Sequence, residues 1–183
     1  MFFLYSTVLY LSLPLVLLRL LWLGRKNPAY LLRWHERFGW GQPLALDKPV
    51  IWLHAVSVGE TQAAKPLVEH LLRQYPHKQV LLTTTTPTGA ETVRRLFADR
   101  VSHRYFPYDL PGSVRRFLDR YKPERVLIME TEIWPNLCRW CRAGKIPVAL
   151  INARMSTRSC RGYRRLTALT AATLANIDLI AAQ

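Results

Sequence analysis

The sequence predicts an α/β fold, a parallel sheet with helices on both faces, preceded by a single apolar helix. Three observations predict it. Strand candidates recur at 50–54, 79–84, 101–106, 125–130, 147–151 and 177–181, with helical stretches between them. Half of the 183 residues are hydrophobic, which permits a sizeable core. Residues 1–18 carry no charge, and the apolar stretch continues past Arg19 to Leu23.

That N-terminal stretch reads as a membrane anchor over residues 1–23. Roughly 22 helical residues cover about 33 Å, enough for a hydrocarbon core of about 30 Å. A cleaved signal peptide fits poorly, because no basic region precedes the run and no small-x-small site ends it. Pro14 is a candidate kink, and Arg19 lies close enough to the end to snorkel. Arg25, Lys26, Arg33 and Arg37 crowd the C-terminal flank while the N-terminal flank has neither Lys nor Arg, so the domain is expected on the cytoplasmic side. Residues 24–48 form a basic, aromatic, membrane-proximal segment. Its Tyr30, Trp34 and Trp40, with Trp22 before it, suit the headgroup zone or ordinary core packing.

Residues 49–183 suit one domain. After the strand at Val50–His54 comes His54-Ala-Val-Ser-Val-Gly-Glu60, with a helix expected from Thr61 to Arg73 burying Ala63, Leu67, Leu71 and Leu72. Ser57-x-x-Glu60 has the spacing of a capping box; the same turn places a lone carboxylate at the strand ends, where α/β proteins do their chemistry. Gly59 lets a ligand approach the backbone and tolerates a positive φ. After the second strand, Thr83 to Gly89 is a Thr-rich turn in which Thr86, Thr88 and Gly89 face the same rim. The fourth strand ends in Glu130-Thr131-Glu132, two carboxylates on one side if the backbone is still extended, with Pro135 opening the next helix. One acid is explained by the helix dipole, and the second asks for a ligand, a base or an Arg partner. The fifth strand ends in Asn152-Ala153-Arg154.

Lys and Arg number 26 against 12 acids, a net charge of +14. Between Asn152 and Asn176 lie Arg154, Arg158, Arg161, Arg164 and Arg165 with no acid at all. Such a cluster suits nucleic acid, anionic lipid headgroups or a phosphorylated ligand, and the anchor favours the last two. Neither G-x-G-x-x-G nor G-x-x-x-x-G-K-[ST] follows a strand, and no G-x-S-x-G elbow supports a His54/Ser57 nucleophile. Cys138-x-x-Cys141 falls in a predicted helix with Cys160 as the remaining thiol, which is too few ligands for a closed zinc site.

His54–Glu60, the Thr-rich turn to Gly89, Met129–Asn136 and Ile151–Ser159, with Glu36-Arg37-Phe38-Gly39 and the anchor, resemble in order and spacing the N-terminal half of bacterial 3-deoxy-D-manno-octulosonic acid (Kdo) transferases. The resemblance covers essentially the whole chain. It implies the Rossmann-like, acceptor-binding N-terminal domain of a GT-B glycosyltransferase that moves Kdo from CMP-Kdo to a lipid A precursor (lipid IVA), with inversion, at the cytoplasmic face of the inner membrane. It also implies Glu60 as general base, Glu130 as a carboxylate supporting the transition state, and no metal or cofactor. Ser57, Gly59, Thr86, Thr88, Gly89, Glu132, Asn152, Arg154 and Arg158 are the expected substrate-binding residues. Expected partners are the lipid A precursor and anionic inner-membrane lipids, with CMP-Kdo held by a C-terminal donor domain absent from these residues, and no nucleic acid. The chain stops right after a strand, so it is expected to be one half of a larger protein that does not turn over alone. Two other classes fit less of the pattern: another membrane-associated GT-B enzyme such as lipid A disaccharide synthase, and a non-enzymatic, membrane-tethered basic binding domain.

Overall fold

A computed structural model describes residues 1–44 and 48–182, with the backbone but not the side chain of Arg158. The junction between the membrane-proximal segment and the domain, at 45–47, lies outside the described residues. Six strands form one sheet: β1 (Val50–His54), β2 (Gln79–Thr84), β3 (Ser102–Tyr105), β4 (Pro123–Met129), β5 (Val148–Ala153) and β6 (Leu179–Ala182). Every pairing is parallel, and the order is β3-β2-β1-β4-β5-β6. The chain winds outward one way from β1 to β3, then returns and winds the other way from β4. The switch point therefore lies between β1 and β4, and the crevice beyond their carboxyl ends is where sheets of this kind hold ligands.

β1 is buried at all five positions, as a central strand covered on both faces must be. Its alternate residues feed two cores. Trp52 packs with Val114, Phe117, Tyr121 and Leu137 of α5 (Pro111–Tyr121) and α6 (Pro135–Ala143); Ile51 and Leu53 pack with Val68, Val93 and Phe97 of α3 (Lys65–Gln74) and α4 (Pro87–Phe97). Cys138 and Cys141 are buried on α6, and burial pushes both thiols up, Cys138 to about 12, so they are neutral packing groups.

The helix expected from Thr61 to Arg73 is two helices, α2 (Val58–Ala63) and α3, broken at Ala64. Pro66 in the first turn of α3 starts a new helix. The break shifts the buried face to Ala64, Val68 and Leu71, and Ala63 is exposed. Two further helices, α7 (Thr157–Arg165) and α8 (Thr167–Leu174), precede β6.

The apolar N-terminal run is one helix, α1 (Phe2–Lys26), unbroken at Pro14 and long and apolar enough to cross a membrane. It lies against the domain. The Tyr5 hydroxyl donates to Asp109 Oδ2 at 3.0 Å, the Ser6 hydroxyl donates to Asn136 Oδ1 at 3.1 Å, and Gly24 sits against Leu31 with no room for a Cβ. Its outward face is bare, with Phe3 83%, Leu11 75% and Leu15 69% exposed.

Residues 33–39 wrap over the ends of β2 and β3. Glu36, 4% exposed, accepts two bonds from Arg33 and one from the Tyr105 amide at 2.8 Å. Arg37, 5% exposed, stacks on Tyr105 and donates to the Thr85 carbonyl at 3.0 Å. Gly39 (φ +80°) ends this turn in the left-handed region, pressed so close to α5 that a Cβ would meet the Ser113 carbonyl. Trp34 and Trp40 in the same segment remain about half exposed.

Candidate active site

The turn from β1 into α2 carries the central carboxylate. Ser57 is extended and caps α2: its hydroxyl accepts the Glu60 amide at 3.2 Å and donates to Glu60 Oε1 at 2.9 Å. The Val56 amide donates to Glu60 Oε2 at 2.7 Å, one residue upstream of the donor in an ordinary capping box. Glu60 is 8% exposed. Burial raises its pKa, the bonds from Val56 and Ser57 lower it, and the charge of Glu130 raises it again; the net shift is upward. Each oxygen keeps a free lone pair beyond its local donor. Gly59 does not use a positive φ. It lies in the first turn of α2, and a Cβ there would meet nothing closer than Ser57 Oγ at 3.9 Å, so its contribution is open space.

The pair at the end of β4 is not arranged as an extended strand would place it. β4 ends at Met129, and Glu130 is left-handed, with φ +56°. Its amide donates to the Ile151 carbonyl at 2.9 Å, and its carboxylate accepts Arg154 Nη2 at 2.7 Å. Arg154 is thus the partner one of the two acids required. Glu132 takes a different course. Desolvation, then the charges of Glu60 and Glu130, push its pKa from 4.5 to about 7. A cleft of about 430 Å³ lined by Glu130, Glu132, Arg154, Ser156 and Ser159 opens at this point.

Asn152 is also left-handed (φ +56°), at a register shift of β5 against β6. Two non-glycine residues in this conformation at adjacent strand ends store backbone strain of the kind found at functional rims. Thr86 caps α4 through the Gly89 amide at 3.1 Å, and its hydroxyl lies 3.2 Å from that of Thr88. Gly89 is buried because a Cβ would press on the Thr84 side chain at 3.0 Å. These three line the β2 end rather than the β4–β5 cleft. The backbone of Arg158 lies in α7; its side chain falls outside the described residues.

His54 is fully buried, stacked on Phe106, with Nδ1 3.0 Å from Thr83 Oγ1 and no partner for Nε2 among the described residues. Burial pushes its pKa down to about 3, so it is a neutral core imidazole. Among the described residues no group of three or more His, Cys, Asp or Glu converges as a metal site.

Several residues of the rim escape sequence reasoning. Asp109, buried, accepts from the Asn136 and Leu137 amides at 2.9 and 2.8 Å and so caps α6, a helix 26 residues further on. Burial raises its pKa to about 7 against those bonds. Asp109 stands two residues before Pro111 and suggests a cap for α5, so nothing local points to α6. Arg37 is visible in the sequence as a flanking charge and within the Glu36–Gly39 motif, with no sign of its buried bond to Thr85. Between α1 and this rim lies a second cavity of about 420 Å³, walled by Leu9, Leu13 and Val16 and floored by Phe106 and Trp134.

Residues 32–183 match the family model described as 3-deoxy-D-manno-octulosonic-acid transferase (kdotransferase). The chain is 42% identical over 182 residues to a 3-deoxy-D-manno-octulosonic acid transferase of Haemophilus influenzae, covering 99% of this chain and 43% of that protein. It is 45% identical over 153 residues to one of Bordetella pertussis, covering 80% of this chain and 35% of that protein. The chain thus spans about two fifths of the length of these relatives. Among solved structures, a UDP-N-acetylglucosamine 2-epimerase matches with a TM-score of 0.52 at 16% identity, over 74% of this chain and 42% of that one, a likeness of fold. With its ordered motifs gathered on the rim of a doubly wound parallel sheet and its residues matched from 32 to the end, the chain belongs to the Kdo transferase family of glycosyltransferases.

Proposed function

We propose that this chain is the acceptor-binding half of an inverting glycosyltransferase that moves Kdo from CMP-Kdo to a lipid A precursor, with Glu60 as general base. The observation that carries the reading is the Glu60 carboxylate at the β1/β4 switch point, buried, held at both oxygens, and raised in pKa. A sugar hydroxyl is a poor nucleophile until its proton is taken. Glu60 accepts that proton, the hydroxyl oxygen bonds to the anomeric carbon of Kdo, and the bond from that carbon to the CMP phosphate oxygen breaks with its electron pair leaving on CMP. One displacement inverts the centre and leaves no covalent enzyme intermediate, so one carboxylate suffices. A positioned base contributes roughly 10²–10⁴-fold.

Glu130, fixed by Arg154, places a second negative charge near the centre where positive charge develops on the sugar. Arg154 and the basic helix α7 face the acceptor's phosphates, and the donor nucleotide belongs to the part of the relatives this chain does not span. The apolar α1 and its basic flank support an inner-membrane anchor with the domain on the cytoplasmic face. No metal or cofactor is required by this chemistry. Glu60→Gln in the full-length protein tests the assignment. It keeps the shape and most cap bonds while losing the base, so transfer falls at least about 100-fold with acceptor binding retained. Near-normal transfer by a folded Glu60→Gln protein would falsify the general-base role.

A further inference from the structure

The cavity between α1 and the strand ends has a shape and lining that the transfer chemistry leaves unused. Its α1 wall runs from Tyr5 to Leu23, five turns and about 27 Å of helix axis. The cavity has a volume of about 420 Å³, and its lining is mostly apolar. Leu9, Leu13, Val16 and Leu20 supply an apolar wall, against Phe106 and Trp134 on the floor. Polar groups gather toward the rim: Arg19, Thr86 and Arg37. Arg37 is buried, and its Nε has no hydrogen-bond partner among the described residues. An unpartnered guanidinium nitrogen beside an apolar channel suits an anionic headgroup whose tail fills the channel.

One lining residue connects this cavity to the turn that holds the carboxylate. Thr85, which lines it, bonds through its hydroxyl to the Val56 carbonyl at 3.1 Å, and the Val56 amide holds Glu60. The outward face of α1 is bare and apolar, a surface suited to lipid.

We propose that this cavity seats one fatty acyl chain of the lipid acceptor, laid lengthwise along α1 so that the sugar hydroxyl at its polar end reaches Glu60. The inference rests on the transferase reading and gives α1 a second role as one wall of the acceptor site. A bulk phospholipid would fill the same channel without presenting a sugar to the base. The position of Thr85 between channel and carboxylate favours the acceptor.

The experiment is photolabelling of the full-length protein in mixed micelles, with a tetra-acylated bisphosphorylated glucosamine disaccharide carrying a diazirine at the end of one acyl chain. Label is expected on 9–20 of α1 or on Phe106 and Trp134, competed by unlabelled acylated disaccharide and not by an equal excess of phosphatidylglycerol. Leu13→Trp, which fills the channel, is expected to cut this labelling at least tenfold and to reduce by a similar factor the kcat/KM preference for acylated over deacylated acceptor. Equal competition by phosphatidylglycerol, label confined to other segments, or unchanged labelling in a folded Leu13→Trp protein each overturn the proposal. Labelling needs no donor. A protein that labels here and transfers no Kdo loses the transferase reading alone, and one that transfers Kdo but labels elsewhere loses the channel alone.

Discussion

The Ser57 hydroxyl accepts the amide of Glu60 and donates to its carboxylate, at 3.2 and 2.9 Å, so one side chain both starts α2 and tunes the residue proposed as base. Ser57→Ala separates the two effects. Loss of the cap costs about 1 kcal/mol of stability. Loss of the bond to the charged carboxylate raises the Glu60 pKa further above its ordinary value, and a base must be ionised to act. The acidic limb of the kcat/KM profile is therefore expected to move to higher pH in Ser57→Ala. An unmoved limb with the stability loss leaves Ser57 as a cap alone.

Arg154 bonds Glu130 across the ends of β4 and β5, with 64% of its side chain exposed. Removing an exposed pair costs about 1 kcal/mol or less. Arg154→Ala is therefore expected to leave the melting temperature within about 2–4 °C of the parent. It should raise KM for a bisphosphorylated acceptor about tenfold, a loss near 1.4 kcal/mol. Unchanged KM returns Arg154 to a purely structural partner of Glu130.

Glu132 supplies a pH dependence of stability. Its pKa is about 7 in the folded protein against 4.5 ordinarily, so the folded state holds the proton more tightly. The contribution to stability is complete below 4.5 and is lost as pH rises through about 7. Asp109, raised from 3.8 to about 7, adds to the same slope. Glu132→Gln is expected to be nearly neutral at pH 4 and stabilising at pH 8, measured by denaturant unfolding at the two pH values. Equal effects at both would show that Glu132 ionises freely.

Deletion of residues 1–23 is expected to release the protein from membranes in part. Arg25 and Lys26 with the exposed Trp34 and Trp40 retain contact with anionic lipid at low salt, and high salt removes it. Fractionation at two ionic strengths checks this, and complete solubility at low salt overturns the peripheral contact. The same deletion strips Asp109 of the Tyr5 hydroxyl, so the truncated protein should also melt lower.

The central strands β1 and β2 were legible in the sequence because buried parallel strands read as apolar runs, as around Trp52 and Leu81. Their ends were not. Glu130 leaves the extended region in a conformation usually given to glycine, which a glutamate does not announce, whereas Asn152 is of a type enriched there. The break at Ala64 had a visible signal in Pro66 that helical periodicity outweighed. Ser57–Glu60 was readable as a box because capping is local. The bonds of Asp109 to α6 and of Arg37 to Thr85 join segments 27 and 48 residues apart, and periodicity carries no trace of such pairs.

The bond from Ser6 to Asn136 spans 130 residues of chain, which gives the protein a timetable. At about 5–20 residues per second, the helix at the start emerges roughly 6–26 s before the surface it will rest on has been synthesised. Through that interval the flank bearing Leu9, Leu13 and Val16 has no protein to cover it. On the proposed anchor reading, lipid is the solvent in which that flank waits, bilayer entry precedes docking, and the domain is completed around a helix already wetted by hydrocarbon.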